Sequence, residues 1–203
     1  PFFLQQHISQ CSASAGDKVR IAYRGSNCRS YVAADVRFGD QAGLDAEVEF
    51  AGGYHRFACS QATWKIGEHS SSVINLKVSG GTVERRTTAD AYVPFELGYT
   101  AGAQVDLELS NGGMIIASAI SKKTVGTTVN FTANGGTFKA GLAGTIVSGL
   151  DSAVIGANGF TIDTNGKNVT INQSFSGSGK LILKGGGSVT FASGVTIAGG
   201  LEI

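Results

Sequence analysis

The chain has 203 residues, 42% of them hydrophobic, enough apolar material for one sizeable domain and too much for wholesale disorder. Only 15% are charged and the formal net charge is +1, so the chain has no basic footprint for nucleic acid and no polybasic attraction to an anionic membrane. Thirty glycines stand beside two prolines, and without a Gly-X-Y period they signal many turns and few helices, not collagen.

The opening PFFLQQHISQ lacks the charged start and long apolar run of a signal peptide, and Pro1 stands where an initiator methionine would be. These features suggest a processed or excised segment. No stretch approaches the roughly 18 consecutive apolar residues of a membrane helix, so no membrane insertion by this segment is expected. Residues 1–47 read as an irregular N-terminal cap or first coils. Their one clear alternation is Val19-Arg20-Ile21.

From residue 48 onward a unit recurs, an alternating strand followed by a glycine pair. Val48-Glu49-Phe50 leads to Gly52-Gly53, Ile74-Asn75-Leu76-Lys77-Val78 to Gly80-Gly81, Val105-Asp106-Leu107-Glu108-Leu109 to Gly112-Gly113, and Val129-Asn130-Phe131 to Gly135-Gly136. A second short strand follows, as in Thr82-Val83, Met114-Ile115 and Thr137-Phe138. The alternation returns at Val169-Thr170-Ile171 and Val189-Thr190-Phe191. With these as anchors the period is 20 to 31 residues, and the longer gap from Val129 to Val169 hides a turn through Thr145-Ile146-Val147 or Ala153-Val154-Ile155. Two or three short strands per unit at that period describe coils of a parallel β-helix.

Period-two alternation puts Val, Ile, Leu and Phe on one face and Asn, Thr, Lys or Glu on the other. One coil buries too little to offset the ordering of its own backbone, at about 1–2 kcal/mol per residue, so stability must come from stacking. Asn75, Asp106 and Asn130 fall at equivalent places and are predicted to stack. The alternative all-β architecture is an antiparallel sandwich, in which Asn111-Gly112, Asn134-Gly135, Asn158-Gly159 and Asn165-Gly166 would be hairpin turns. The expected division is therefore 1–47 as cap or first coils and 48–203 as β-helix coils.

Four pieces near the end carry a family resemblance: Thr161-Ile162-Asp163-Thr164-Asn165-Gly166, Asn168-Val169-Thr170, Ser176-Gly177-Ser178-Gly179-Lys180-Leu181 and Gly187-Ser188-Val189-Thr190-Phe191. Together they resemble the autotransporter-associated β-strand repeat of bacterial autotransporter passenger regions. The resemblance covers about residues 160–203 and implies a right-handed, single-stranded parallel β-helix exported to the extracellular side or outer-membrane surface, where it serves as a stalk or adhesin.

The halves differ in chemistry. All seven arginines, five tyrosines, three histidines and Trp64 lie in the first hundred residues, and twenty of the thirty glycines lie in the rest. Binding residues concentrate on loops held by a rigid scaffold, so the first half is the better place for a ligand. Tyr31, Tyr54, Trp64, Tyr92 and Tyr99 are candidate contacts, because aromatic faces pack against the C–H faces of sugars. Either glycans on a host or surface, or end-to-end or lateral self-association, would supply the partners.

Catalytic, metal and cofactor signatures are not evident. Gly177-Ser178-Gly179-Lys180 lacks the spacing and the following hydroxyl of a phosphate loop. Asp106, Glu108, Asp151 and Asp163 read as solvated face charges, and no nucleophile elbow lies near His7, His55 or His69. Cys11, Cys28 and Cys59 form no CxxC pair. A Cys28–Cys59 bond suits comparable parts of successive coils, Cys11–Cys28 is the competing pair, and three free thiols are the remaining alternative. The expected function is a structural or adhesive solenoid without enzymatic activity; a polysaccharide-degrading β-helix or a carbohydrate-binding module are the alternatives.

Overall fold

Strands with one apolar and one polar face are satisfied only when stacking joins the apolar faces into a core and pairs the backbone edges. A computed structural model of the chain, describing residues 18–33 and 35–203, meets both demands with a parallel β-solenoid of about seven turns. No helix occurs among the described residues.

Each full coil places one strand on each of three faces. The first coil carries β1 (Lys18–Tyr23), β2 (Arg29–Val32) and β3 (Val36–Phe38), and the second β4 (Asp45–Phe50), β5 (Tyr54–Ala58) and β6 (Trp64–Ile66). The third has β7 (Val73–Val78), β8 (Thr82–Arg86) and β9 (Phe95–Leu97); the fourth β10 (Gln104–Ser110), β11 (Met114–Ala117) and β12 (Ile120–Lys122). β13 (Thr128–Asn134), β14 (Gly136–Ala140) and β15 (Gly144–Ser148) make the fifth, and β16 (Ser152–Ile155), β17 (Phe160–Asp163) and β18 (Val169–Asn172) the sixth. β19 (Leu181–Lys184), β20 (Val189–Phe191) and β21 (Leu201–Glu202) continue the wind.

The first sheet runs β1-β4-β7-β10-β13-β16, the second β2-β5-β8-β11-β14-β17-β19-β21, and the third β9-β12-β15-β18-β20. A β3-β6 pair serves the first two coils in place of the third sheet. Consecutive coils pair parallel throughout, as between β4 and β7 or β14 and β17, which does not favour the sandwich. The Asn-Gly pairs are corners of coils and not hairpins; Asn111 and Asn165 take the left-handed conformation, with φ of 50° and 51°.

Side chains stack in rows. Ile21, Val48, Leu76, Leu107, Phe131 and Ala153 form an inward row of the first sheet. Beside it, Arg20, Glu47, Asn75, Asp106, Asn130 and Ser152 form an outward row. Leu107 and Phe131 are buried at 2% and 0% exposure. One continuous apolar core runs from Val36 to Leu183, with Phe191, Val195 and Ile197 packed partly against it.

Several expectations are corrected in detail. Val48 pairs with Ile21 and Leu76, not with Val19 and Ile74. The strand starts earlier than its first bulky residue, and small Ala46 takes the first inward position. Val169 and Val189 belong to the third sheet; the first sheet continues instead through Ala153-Val154-Ile155 and the bridges Val154–Ser176 and Phe175–Ile197. The two valine strands copy the alternation but occupy another face. Residues 18–33 and 35–44 lie in the first coil, and β4 spans Asp45–Phe50.

Corners between the first and second sheets are tight. At Gly53, φ is 79°, and a Cβ would come within 2.0 Å of the Cys28 carbonyl oxygen. Only glycine fits so close an approach of one coil's corner to the next.

Candidate functional site

The outer face of the first sheet is a polar ladder. Asn130 donates to Asp106 over 2.7 Å and accepts from Ser152 Oγ over 2.8 Å. Asp106 also accepts from Gln104 Nε2 at 2.8 Å. Glu108 accepts from Ser110 Oγ at 2.7 Å and lies 3.2 Å from Lys77 Nζ. The ladder floors a shallow depression of about 460 Å³ lined by Glu47, Lys77, Asp106, Glu108, Asn130 and Thr132 among others. Its central carboxylates are already engaged by their row neighbours.

Other acidic candidates stand apart. Asp151 accepts from Lys122 Nζ at 2.8 Å and from the Val129 amide at 2.7 Å, and the Lys122 hydrogen bond leads the effects that pull its pKa below the usual range. Asp163 accepts from the Asn165 amide and lies 3.8 Å from Lys139 Nζ. Among the described residues no group of three or more His, Cys, Asp or Glu is arranged to hold a metal ion.

The second sheet carries a different surface at its N-terminal end. Cross-strand register sets Arg29 beside Tyr54 and Tyr31 beside Arg56, so the outer face shows an Arg/Tyr checkerboard. Tyr31 is 50% exposed and Tyr54 37%. The Arg56 guanidinium stands 5.5 Å from the Tyr31 ring centroid and pairs with Asp90. In the next strand outward-facing Glu84 lies beneath Tyr54 and Arg86, with 4% exposure. It accepts from the Tyr54 hydroxyl and from Arg86 Nε at 2.8 Å.

Burial raises the Tyr54 pKa to about 12, reinforced by its hydrogen bond to Glu84 and by the Glu84 charge. Burial also works against the Glu84 carboxylate, but the Tyr54 and Arg86 hydrogen bonds with the Arg86 charge outweigh it and hold its pKa low. Tyr54 is therefore a protonated, oriented ring at neutral pH, suited to stacking and unsuited to act as a base.

Between β8 and β9 the chain leaves the coil in a small excursion. Arg86 and Tyr92 form an antiparallel bridge, and the Thr87 amide donates to the Ala91 carbonyl. Asp90 at its tip has φ of 67° and serves both Arg56 and Arg86. The Arg86 guanidinium lies 3.7 Å from the Tyr92 centroid.

The five predicted aromatic contacts therefore separate. Tyr31 and Tyr54 share the checkerboard, and Tyr92 lies beyond it against Arg86. Tyr99 sits apart between Lys65 and Lys123, at 5.1 and 5.5 Å. Trp64 is no surface platform: it is 1% exposed in the core, with its indole N–H donated to the Glu96 carbonyl at 2.7 Å. Its position in β6 alternates inward with Ile66.

Cys28 and Cys59, the pair expected to bond, are both free thiols in this structure. Cys28 precedes Arg29, which pairs with Tyr54 at the start of β5, whereas Cys59 follows its last residue Ala58. Comparable distance along each coil did not give comparable position, because Val19 pairs with Ala46 and not Val48, and because the corner after β1 is longer than the corner after β4. Cys11 and His7 lie outside the described residues.

Arg29, Arg56, Glu84 and Arg86 are the surface residues that sequence reading passed over. A signal was present: the repeat containing Val83-Glu84-Arg85-Arg86 is the longest of the glycine-pair repeats, Ile74 to Val105, which is where the excursion is inserted. No protein-family profile matches the chain, and no curated protein or solved structure matches it significantly.

Proposed function

We propose that the chain is a structural and adhesive segment of a surface-displayed or secreted bacterial protein, a rigid solenoid that presents a lateral binding face and performs no turnover. The observation that carries this reading is the division of surfaces. The carboxylates of the polar ladder are engaged by their own row neighbours, while the N-terminal end of the second sheet exposes rings and guanidinium groups held by paired strands. A stack of in-register coils gives stiffness without further devices, and fixed rows of side chains suit contact over an area. The resemblance of residues 160–203 to autotransporter passenger repeats supports export and surface display.

The competing reading is a polysaccharide-degrading β-helix. Both are tested by incubating the purified chain with immobilised bacterial and host-cell surfaces and a panel of soluble polysaccharides. The expected result is retention on a surface without new reducing ends or unsaturated products. Sustained release of such products would overturn the non-enzymatic reading, and failure to be retained on every surface would overturn the adhesive one.

A further inference from the structure

We infer that the outer face of β2 and β5 is a binding site for acidic sugars, with Arg29 taking the carboxylate and the Tyr31 and Tyr54 rings taking the apolar faces of the sugar rings. This inference rests on the adhesive reading and names its ligand class.

Arg56 is committed to Asp90, and Arg86 to Glu84. Arg20 and Arg24 both approach Glu49. Arg29 is exposed, and among the described residues its guanidinium has no ion-pair or hydrogen-bond partner. A free guanidinium matches a carboxylate with two parallel hydrogen bonds.

Arg29 also lines a depression of about 450 Å³ together with Tyr54, and Gly25, Gly52, Gly53 and Gly80 contribute to its walls. Nothing lies within 4 Å of where a Gly25 side chain would begin, so a ligand can approach the backbone there. Tyr54 forms one side of this space and is oriented by its hydroxyl bond to Glu84. Tyr31 lies diagonally across the checkerboard, with Arg56 against its ring.

Together these features recognise a ring with an apolar C–H face and a carboxylate at its rim, which is the chemistry of a uronic or sialic acid unit. An extended acidic peptide fits less well, because peptide addition uses a sheet edge and side-chain pockets, whereas this site lies on a sheet face and at a corner. Phosphate would use the arginine but not the exposed rings.

The test is calorimetric titration of the chain with hexagalacturonate, hyaluronan oligosaccharide and sialyllactose, with fully methyl-esterified hexagalacturonate as the neutral control. At least one acid should bind, its affinity falling as salt rises. If hexagalacturonate is that ligand, its ester should bind at least tenfold more weakly. Arg29→Ala and Tyr31→Ala should each weaken the bound acid by roughly tenfold or more. Arg29→Lys should recover only part of the loss, and Thr137→Ala, farther along the same outward row as Tyr54, should change nothing. Circular dichroism of each variant separates loss of contact from loss of fold.

Absence of binding to all three acids, equal binding of hexagalacturonate and its ester, or unchanged affinity in folded Arg29→Ala would overturn the inference. Retention on cell surfaces despite such a result would leave the adhesive reading standing and remove only its acidic-sugar ligand.

Discussion

The guanidinium carbon of Arg85 sits 4.3 Å from the centroid of the Trp64 ring, with both side chains buried in the solenoid core. Arg85 occupies the inward row that Val32 and Phe57 occupy in the preceding coils. Its Nη1 donates to the Phe57 and Cys59 carbonyls at 3.1 and 3.3 Å and reaches Cys59 Sγ at 3.2 Å, while Nε and Nη2 find no hydrogen-bond partner. Burial lowers its pKa, partly offset by Cys59.

A buried charge without a carboxylate gains little against its desolvation, and apolar replacements of similar volume are often neutral or stabilising. Arg85→Met should therefore match the parent or exceed it by about 1–2 kcal/mol in urea unfolding. Arg85→Ala, which opens a hole over Trp64, should lose roughly 2–4 kcal/mol. Equal losses in the two variants would show that the cation–ring contact, and not packing, holds this part of the core.

Leu107 and Glu108 are neighbours on β10 that point to opposite faces. Leu107→Asp places an unpaired charge between Leu76 and Phe131 and should cost several kcal/mol, on the order of 3–5. Glu108→Ala removes a surface pair with Lys77 and should cost about 0–1 kcal/mol. Denaturant midpoints of the two variants check the contrast.

His55 supplies a pH dependence. It is fully buried between Tyr23 and Phe50, accepts from Ser30 Oγ on Nδ1 and donates Nε2–H to the Gly52 carbonyl at 2.8 Å. Burial lowers its pKa, only partly opposed by the carbonyl. The unfolded chain therefore takes up this proton at a higher pH than the folded one. The stability His55 contributes is complete above its unfolded pKa of about 6.5 and is lost as pH falls from there through the folded value. Melting temperature should decline as pH falls below about 6.5, and His55→Phe should flatten that decline. Glu49, Glu84 and Asp151 have lowered pKa values, so their acid losses fall at lower pH.

The coil corners give a paired test. Gly53 has a left-handed φ and no room for a methyl group, whereas Gly166, at φ of 73°, has nothing within 4 Å. Gly166→Ala should cost about 1–2 kcal/mol from backbone conformation alone. Gly53→Ala adds a collision with the Cys28 carbonyl and should cost roughly 3 kcal/mol or more. Thermal denaturation of both variants reads the difference.

The coil was legible because its signals are local. Alternation identified the inward faces of Leu107 and Phe131, and a shared place one residue after Ile74, Val105 and Val129 stacked Asn75, Asp106 and Asn130, as the register has them. Absolute register was harder to read, because small residues such as Ala46 hold inward positions without an apolar signature. Face assignment failed at Val169 and Val189 because a three-sided coil repeats the same alternation on every side. The surface was less legible than the core: Trp64 is an aromatic like Tyr31, and only its alternation with Ile66 marks it as inward. The Arg/Tyr checkerboard depends on which coil lies beside which, a relation that spacing constrains only after the corner lengths are known.

The excursion between β8 and β9 leaves its surroundings unchanged. β8 pairs in register with β5 up to Arg86, and Phe95 resumes in register with Ile120. Residues 87–92 leave the ladder, and Val93 rejoins it by accepting from the Ser118 amide. Such a corner tolerates changes in length because only its two ends are fixed by the stack. Its tip is nevertheless tied to the scaffold, since Asp90 reaches Arg56 one coil away and Tyr92 packs on Arg86, so a change at either residue is felt on the outer face of the second sheet.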